Sequence, residues 1–170
     1  MLTGLPPLIS SQTRLLILGS FPGVASLQAQ QYYGHPQNQF WRVLGAILDD
    51  KYAHSPIEYR SDSYQIHSKW LLSKKLGLWD VYASCEREGS LDSNIRQPVL
   101  NDFSALKTLC PNLQAVAHNG GESFKHAKHT QNLGLPVFKL PSTSPANASW
   151  SFERKVAAWR DVFEKCGLHD

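Results

Sequence analysis

The apolar run from Leu15 to Leu18, followed at once by the segment GSFPG, constrains the fold of this chain more than any other feature. Four consecutive apolar residues between polar neighbours are typical of a short strand that is buried on both faces. Gly19, Pro22 and Gly23 then favour a tight turn whose backbone N–H groups can approach a ligand without obstruction by side chains. The sequence therefore predicts a buried parallel strand that ends at a ligand-binding loop.

The segment from Gln28 to Gln39 continues this loop, because it is too rich in Gln, Tyr and His for a core and too aromatic for a plain linker. Apolar residues then recur with helical spacing from Phe40 to Leu48. This pattern predicts an amphipathic helix that begins near Asn38 and ends by Asp50.

Strands and helices alternate along the rest of the chain. The predicted strands are 78–82, 113–117 and 136–140, the predicted helices are 63–75, 101–110, 122–130 and 152–166, and the predicted loops include 51–63 and 83–98. Short apolar strands separated by helices indicate an α/β fold with parallel pairing. We therefore expect residues 1–170 to form one domain, with a core from about 14 to 166. Its architecture is predicted as a three-layer sandwich around a central four-stranded parallel sheet.

Four polar loops follow the four predicted strands. Their sequences are GSFPG with YYGHPQN, ASCEREG, HNGG, and PSTSPAN. Because the carboxyl ends of parallel strands meet at one edge of a sheet, these loops are expected to line a common cleft.

Composition excludes several classes of protein. The 170 residues are 42% hydrophobic, yet no apolar run approaches the ~18 residues of a membrane span, and the first dozen residues do not resemble a secretory signal. Three widely spaced cysteines favour reduced thiols, and a formal charge of +3 does not by itself indicate nucleic acid. We expect a monomeric, cytoplasmic protein with no membrane partner.

Three of these motifs, in their order along the chain, support a family resemblance. GSFPG, HPQNQFW and PSTSP together resemble the uracil-DNA glycosylase superfamily, and most closely its branch of DNA-deoxyinosine (hypoxanthine) glycosylases. The similarity runs from about Leu15 to Ala148. It implies a uracil-DNA-glycosylase-like fold and a repair enzyme that acts on DNA with deaminated bases. Hypoxanthine is the expected base, and uracil is a possible second substrate.

Two positions depart from motifs of the superfamily. Where mismatch-specific members have the Asn of G-x-N-P-G, which positions the attacking water, this chain has Phe21. In the deoxyinosine branch the Asn of HPxN takes this role, which implies Asn38 as the catalytic residue. Where uracil enzymes have His-Pro-Ser, this chain has Leu140 before Pro141 and Ser142, which implies another base or another means of stabilising it.

Cleavage of an N-glycosidic bond requires a held water, hydrogen-bond donors for the departing base, and a pocket for the flipped base. Turn N–H groups after the first strand are candidates for the donors, Tyr33 matches the superfamily's stacking aromatic residue, and Asn119 has a donor and an acceptor for hypoxanthine. The expected base-binding residues are Ser20, Phe21, Gly23, Tyr33, Asp80 and Asn119. The resemblance also implies that a loop grips the phosphates, and its residues here are Ser142, Thr143, Ser144 and Pro145.

Each of these residues also has a structural interpretation. Asn38 stands where a helix N-cap is expected, and both roles can coexist. Tyr33 is also compatible with packing, Asp80 with a bond to loop N–H groups, and Asn119 with a turn before two glycines.

No metal or other cofactor is expected. His118, His126 and His129 contain an i, i+3 pair, but no Cys or Glu stands at recognised zinc spacing. No Lys is placed for a Schiff base, so we expect a monofunctional enzyme.

Two other classes of protein compete with the glycosylase. A small-molecule hydrolase or transferase would need GxSxG or GxxxxGK[ST], and neither occurs. A non-catalytic nucleic-acid-binding domain remains open because of Phe21, and a uracil- or mismatch-specific glycosylase is a third alternative.

Overall fold

The computed structural model describes residues 1–48 and 61–168. Its strands are β1 (Leu2–Thr3), β2 (Leu15–Gly19), β3 (Leu76–Asp80), β4 (Tyr82–Glu86), β5 (Arg96–Leu100), β6 (Ala115–Asn119) and β7 (Val137–Leu140). Its helices are α1 (Val24–Ala29), α2 (Phe40–Leu48), α3 (Ser61–Ser73), α4 (Leu106–Leu109), α5 (Gly121–Phe124), α6 (Ala127–Gln131) and α7 (Phe152–Lys165).

The predicted central sheet is confirmed. Its strand order is β3-β2-β6-β7 and every pairing is parallel. The apolar run of β2 is fully buried, as expected of a strand that is covered on both faces. Leu15 and Ile17 of β2 pack beneath α2 and α7, whereas Leu16 and Leu18 face β4 and α4. The sheet is therefore the middle layer of the fold.

The second face holds an element that the sequence interpretation missed. Residues 83–98 were predicted as a loop, but β4 and β5 form an antiparallel hairpin, and β1 completes a small sheet in the order β1-β4-β5. Its edge strand β5 is mostly exposed and contains Pro98, so it lacks the apolar alternation that predicts a strand. The prediction of an irregular loop at 83–98 was therefore wrong.

Several boundaries also differ from prediction. Strand β3 ends at Asp80, because the residues from Tyr82 onward form β4, which belongs to the second sheet. The helix predicted over 122–130 is split into α5 and α6, and the one over 101–110 is only α4. Helix α1 was not predicted.

Some predictions fall on the undescribed segment. The predicted end of α2 at Asp50 and most of the loop at 51–63 lie outside the described residues. Where the description resumes, at Ser61, helix α3 is already present. Among the described helices, none combines the length and the apolar character that a membrane crossing requires.

Candidate active site

The carboxyl ends of the parallel strands open into a cavity of about 1180 Å³. GSFPG after β2, the loop before α2, the end of β6 and the loop after β7 all line it, as predicted. The segment ASCEREG was also expected to line it, but most of that segment is strand β4. The hairpin contributes its tip instead, residues 90–93.

The cavity brings together the residues that the sequence singled out. Those lining it are Ser20, Phe21, Gly23, Tyr33, Asn38, Asp80, Asn119, Ser142, Thr143, Ser144 and Pro145. They come from five separate parts of the chain, so their convergence follows from the parallel sheet and not from sequence proximity.

Asn38 has the geometry of a helix cap and also faces the cavity. Its Oδ1 accepts a hydrogen bond from the N–H of Phe40 at 3.0 Å, which satisfies one of the free donors at the start of α2. Its own N–H donates to the carbonyl of His35 at 3.0 Å. These two bonds hold Asn38 at the cavity wall, and they are compatible with a role of its amide in the cavity.

Tyr33 is locked into place by its neighbours. Its ring stacks on Phe40, with ring centroids 4.0 Å apart and an angle of 21° between the planes, so one of its faces is covered. Its backbone has a φ of 55°, which is uncommon for a residue other than glycine. Burial raises the pKa of its hydroxyl, which is therefore neutral. Tyr32, by contrast, is a packing residue whose hydroxyl donates to the carbonyl of Pro6 at 2.7 Å.

The amide of Asn119 is already engaged in hydrogen bonds. Its Nδ2 donates to the hydroxyl of Tyr33 at 3.2 Å and to Oγ1 of Thr143 at 3.0 Å. Its Oδ1 accepts from the N–H of Thr143 at 3.1 Å. These bonds fix the orientation of the amide, and a base that is to be read by Asn119 must share or displace them.

Thr143 holds Asn119 instead of facing the solvent. Thr143 is 0% exposed, so its side chain is not accessible to a phosphate in this structure. Ser142, Ser144 and Pro145 are at least partly accessible and remain the candidates in this loop.

The GSFPG turn is attached to the hairpin. The hydroxyl of Ser20 donates to Oδ1 of Asp92 at 2.7 Å, and the guanidinium of Arg87 donates to the carbonyl of Pro22 at 2.7 Å. Phe21 is 6% exposed and belongs to the apolar cluster under the hairpin, with the Arg87 guanidinium carbon 5.3 Å from its ring centroid. The side chain of Phe21 therefore packs in this cluster, and it has no polar atom that could orient a water.

Asp80 is a buried carboxyl at the cavity wall. It is 5% exposed, and its Oδ2 has no hydrogen-bond partner among the described residues. Burial, with a smaller contribution from the charge of Asp92, raises its pKa to about 7, although the charge of Arg87 opposes this shift. A carboxyl group in this state titrates near neutral pH, where it can exchange a proton.

Sequence reasoning missed two cavity-lining features. Asp92 lies on the hairpin tip, and its segment has no periodicity that would have predicted its position. Trp150 lines the opposite side, where the guanidinium carbon of Arg154 lies 4.2 Å from the centroid of its ring. Trp150 lies before the start of α7, so no helical spacing in the sequence predicted its position in the cavity.

Two of the three histidines considered as metal ligands, His118 and His126, have hydrogen-bond partners of their own. His118 lies between Ser123 and Thr130, at 2.8 and 2.9 Å, and burial lowers its pKa to about 4. His126 shares a hydrogen bond with the hydroxyl of Tyr82 at 2.9 Å. Across residues 1–48 and 61–168, no group of three His, Cys, Asp or Glu side chains is arranged to hold a metal.

The sequence of this chain is similar to those of known DNA glycosylases. The family described as “Uracil DNA glycosylase superfamily” matches residues 6–163. A hypoxanthine DNA glycosylase from Methanosarcina barkeri is 38% identical over 162 residues, which cover 95% of this chain and 98% of that protein. One from Methanosarcina acetivorans is 36% identical over 160 residues, with coverage of 94% and 96%.

A solved structure is similar as well. The solution NMR structure of a candidate uracil DNA glycosylase from Methanosarcina acetivorans has a TM-score of 0.82 and 35% sequence identity. The match covers 97% of this chain and 98% of that chain.

Proposed function

Since this chain belongs to the uracil-DNA glycosylase superfamily, we propose that it is a monofunctional DNA glycosylase that removes deaminated bases, with hypoxanthine preferred and uracil as a possible second substrate. The relatives named hypoxanthine DNA glycosylase, which match almost the whole chain, support this choice of base. The observation that carries the proposal is the single cavity that joins Asn38 to the GSFPG turn, Tyr33 and Asn119.

The reaction replaces the bond from C1′ of deoxyribose to the base by a bond to a water oxygen. Positive charge develops on the sugar and negative charge on the departing base. Asn38 is neutral, so it orients the water without accepting its proton, and turnover is expected to be slow. Backbone N–H groups of Ser20, Phe21 and Gly23 at the carboxyl end of β2 donate to the base.

The flipped base needs an aromatic ring on which to stack and a side chain that hydrogen-bonds its edge. Tyr33 has one face on Phe40, and we assign its other face to stacking on the base. Asn119 reads the purine edge after exchanging one of its bonds to Tyr33 or Thr143. Ser142, Ser144 and Pro145 contact the DNA backbone beside the cavity.

Leu140 supports a preference against uracil. It is 1% exposed and lines the cavity at the position where the uracil enzymes of the resemblance carry a histidine. A leucine cannot donate a hydrogen bond to a departing uracil anion, so release of uracil is expected to be much slower than release of hypoxanthine.

The test is an alkaline-cleavage assay on labelled duplexes that contain a single deoxyinosine or a single deoxyuridine. Asn38→Ala should abolish base release and leave binding to the deoxyinosine duplex within about tenfold. Asn38→Ser is the matched variant, because serine caps a helix as well as asparagine does but lacks the amide.

The two variants separate catalysis from folding. Inactivity of both, with Asn38→Ser as stable as the wild type, supports the amide as the group that orients water. Full activity of Asn38→Ser would contradict it. A folded wild-type protein that yields no abasic product at enzyme excess, yet binds the duplex with salt-dependent affinity, would be a binding module.

Partners and location complete the proposal. DNA with deaminated bases is the partner, and the protein acts as a monomer without metal or cofactor. Its three cysteines are free and buried, which is consistent with the cytoplasmic location that we propose.

A further inference from the structure

The backbone of Asp80 is fixed at the carboxyl end of β3, beside the GSFPG turn. Strand β3 pairs with β2 so that Asp80 lies beside Gly19, and the carbonyl of Asp80 accepts a hydrogen bond from Nδ2 of Asn101 at 2.8 Å. A Cβ atom added to Gly19 would lie 2.5 Å from Oδ1 of Asp80. The carboxyl group therefore lies over the start of the GSFPG turn, next to the groups assigned to the base.

The charged and titratable groups around Asp80 favour its neutral form. Asp92 on the hairpin tip adds negative charge, and the hydroxyls of Tyr32 and Tyr33 are uncharged because burial raises their pKa values. Among the described residues, Arg87 is the one cation whose charge acts on Asp80, but its Nε and Nη2 donate to the carbonyls of Gly89 and Pro22. No ion pair between Arg87 and Asp80 forms in the described part of the chain.

We propose that Asp80 enters the reaction as a neutral carboxylic acid and passes its proton to N7 of the departing hypoxanthine. This inference rests on the proposed function and adds a second catalytic residue to it. Asn38 then orients the water on the sugar side, and Asp80 neutralises the base. The division of labour follows from chemistry, because an amide has no proton to give at neutral pH and a neutral carboxyl does.

The proton balance closes in one turnover. The water oxygen bonds to C1′, the bond from C1′ to N9 breaks, and its electron pair moves into the purine ring as N7 takes the proton of Asp80. The attacking water releases one proton to solvent. Asp80, left as a carboxylate, regains a proton from solvent, and the products are neutral hypoxanthine and an abasic site.

This assignment explains how a purine can leave a site that lacks the histidine of uracil enzymes. Leu140 stands at that position and offers no donor. Hypoxanthine has N7 as an acceptor outside its pairing edge, whereas uracil has no equivalent nitrogen. An acid at Asp80 therefore accelerates loss of the purine specifically and adds to base preference.

The kinetic test is the pH dependence of single-turnover hypoxanthine release between pH 5.5 and 8.5. The wild-type rate constant should be level at low pH and fall about tenfold per pH unit above about pH 7. Asp80→Asn should lower the rate at pH 6 by about 100-fold or more and remove the alkaline fall. Asp92→Asn removes a neighbouring negative charge, so it should keep the alkaline fall but displace it to lower pH.

A purely structural Asp80 gives a different pattern. Asp80→Asn would then lower the rate equally at every pH and retain the alkaline fall, and this result would overturn the proposal. Equal rates for wild type and Asp80→Asn would also overturn it.

A second measurement does not depend on activity. In a ¹³C NMR titration of the free protein, the carboxyl signal that is missing in Asp80→Asn should titrate near pH 7. A signal that shows an ionised group throughout pH 5 to 8 would refute the acid role. A wild-type protein inactive on deoxyinosine would instead refute the proposed function, and the titration would still decide the state of Asp80.

Discussion

A Cβ on Gly19 would meet two functional atoms at once, Oδ1 of Asp80 at 2.5 Å and the hydroxyl oxygen of Tyr33 at 3.3 Å. The first distance is shorter than real Cβ contacts, and strand pairing fixes the backbone of Asp80. The absence of a side chain at this position therefore makes room for the carboxyl group. Sequence reasoning assigned the glycine to a tight turn, and the close approach became visible only with the neighbouring strand in place.

We predict that Gly19→Ala destabilises the protein by about 1 to 3 kcal/mol and greatly reduces hypoxanthine release, because the added methyl group displaces Asp80. Urea denaturation and the alkaline-cleavage assay measure the two effects. Gly121→Ala is the matched control, since Gly121 lines the same cavity and no atom lies within 4 Å of its added Cβ. If steric conflict with Asp80 is the cause, adding Asp80→Ala to Gly19→Ala should recover stability, and strict additivity would contradict it.

The secondary-structure elements differ in how far local sequence determines them. Strand β2 was predicted from its uninterrupted apolar run, and helix α7 from apolar residues that recur with the helical period. The hairpin of β4 and β5 was not predicted. Strand β5 lacks apolar alternation, and β4 pairs with β1, whose residues lie more than 80 positions away in the sequence. Asp92 lies at the tip of that hairpin, so its position in the cavity was not predicted from the sequence either. The loops at the ends of predicted strands were assigned correctly, because parallel strands bring their carboxyl ends to one edge.

Arg87, together with Asp92, attaches the hairpin to the GSFPG turn, and removal of Arg87 is predicted to loosen both. Arg87→Met keeps much of the side chain's bulk but loses the hydrogen bonds to Pro22 and Gly89, at an expected cost of about 1 to 3 kcal/mol. Faster hydrogen exchange of the Val24 amide, which donates to Oγ of Ser90 on the hairpin, would report the loosening.

Arg96→Met serves as the control for this change. Arg96 lies on the same hairpin but donates only to the nearby carbonyls of Ser93 and Ile95. Its loss should leave exchange at Val24 unchanged. Similar exchange rates in the two variants would show that Arg87 does not hold the turn.

At the scale of the whole molecule, the site adds a pH-dependent cost to folding. The pKa of Asp80 is about 7 in the folded protein, whereas the ordinary value for an aspartate carboxyl is 3.8. Between these values the folded state holds a proton that the unfolded state has released, so the contribution of Asp80 to stability falls as pH rises. The loss begins above about pH 4 and is complete once the folded carboxyl is ionised, above about pH 7.

Asp80→Asn should therefore stabilise the protein relative to wild type in a pH-dependent manner. The difference in free energy of unfolding should be smallest near pH 4 and grow toward about 4 kcal/mol at pH 8, because asparagine cannot ionise. Urea denaturation of both proteins at several pH values measures this difference, and other titrating groups cancel in it. A constant difference across this range would mean that Asp80 ionises alike in both states. A more stable but much slower variant is the expected result, since burial of an unpartnered acid costs stability and makes its proton available near neutral pH.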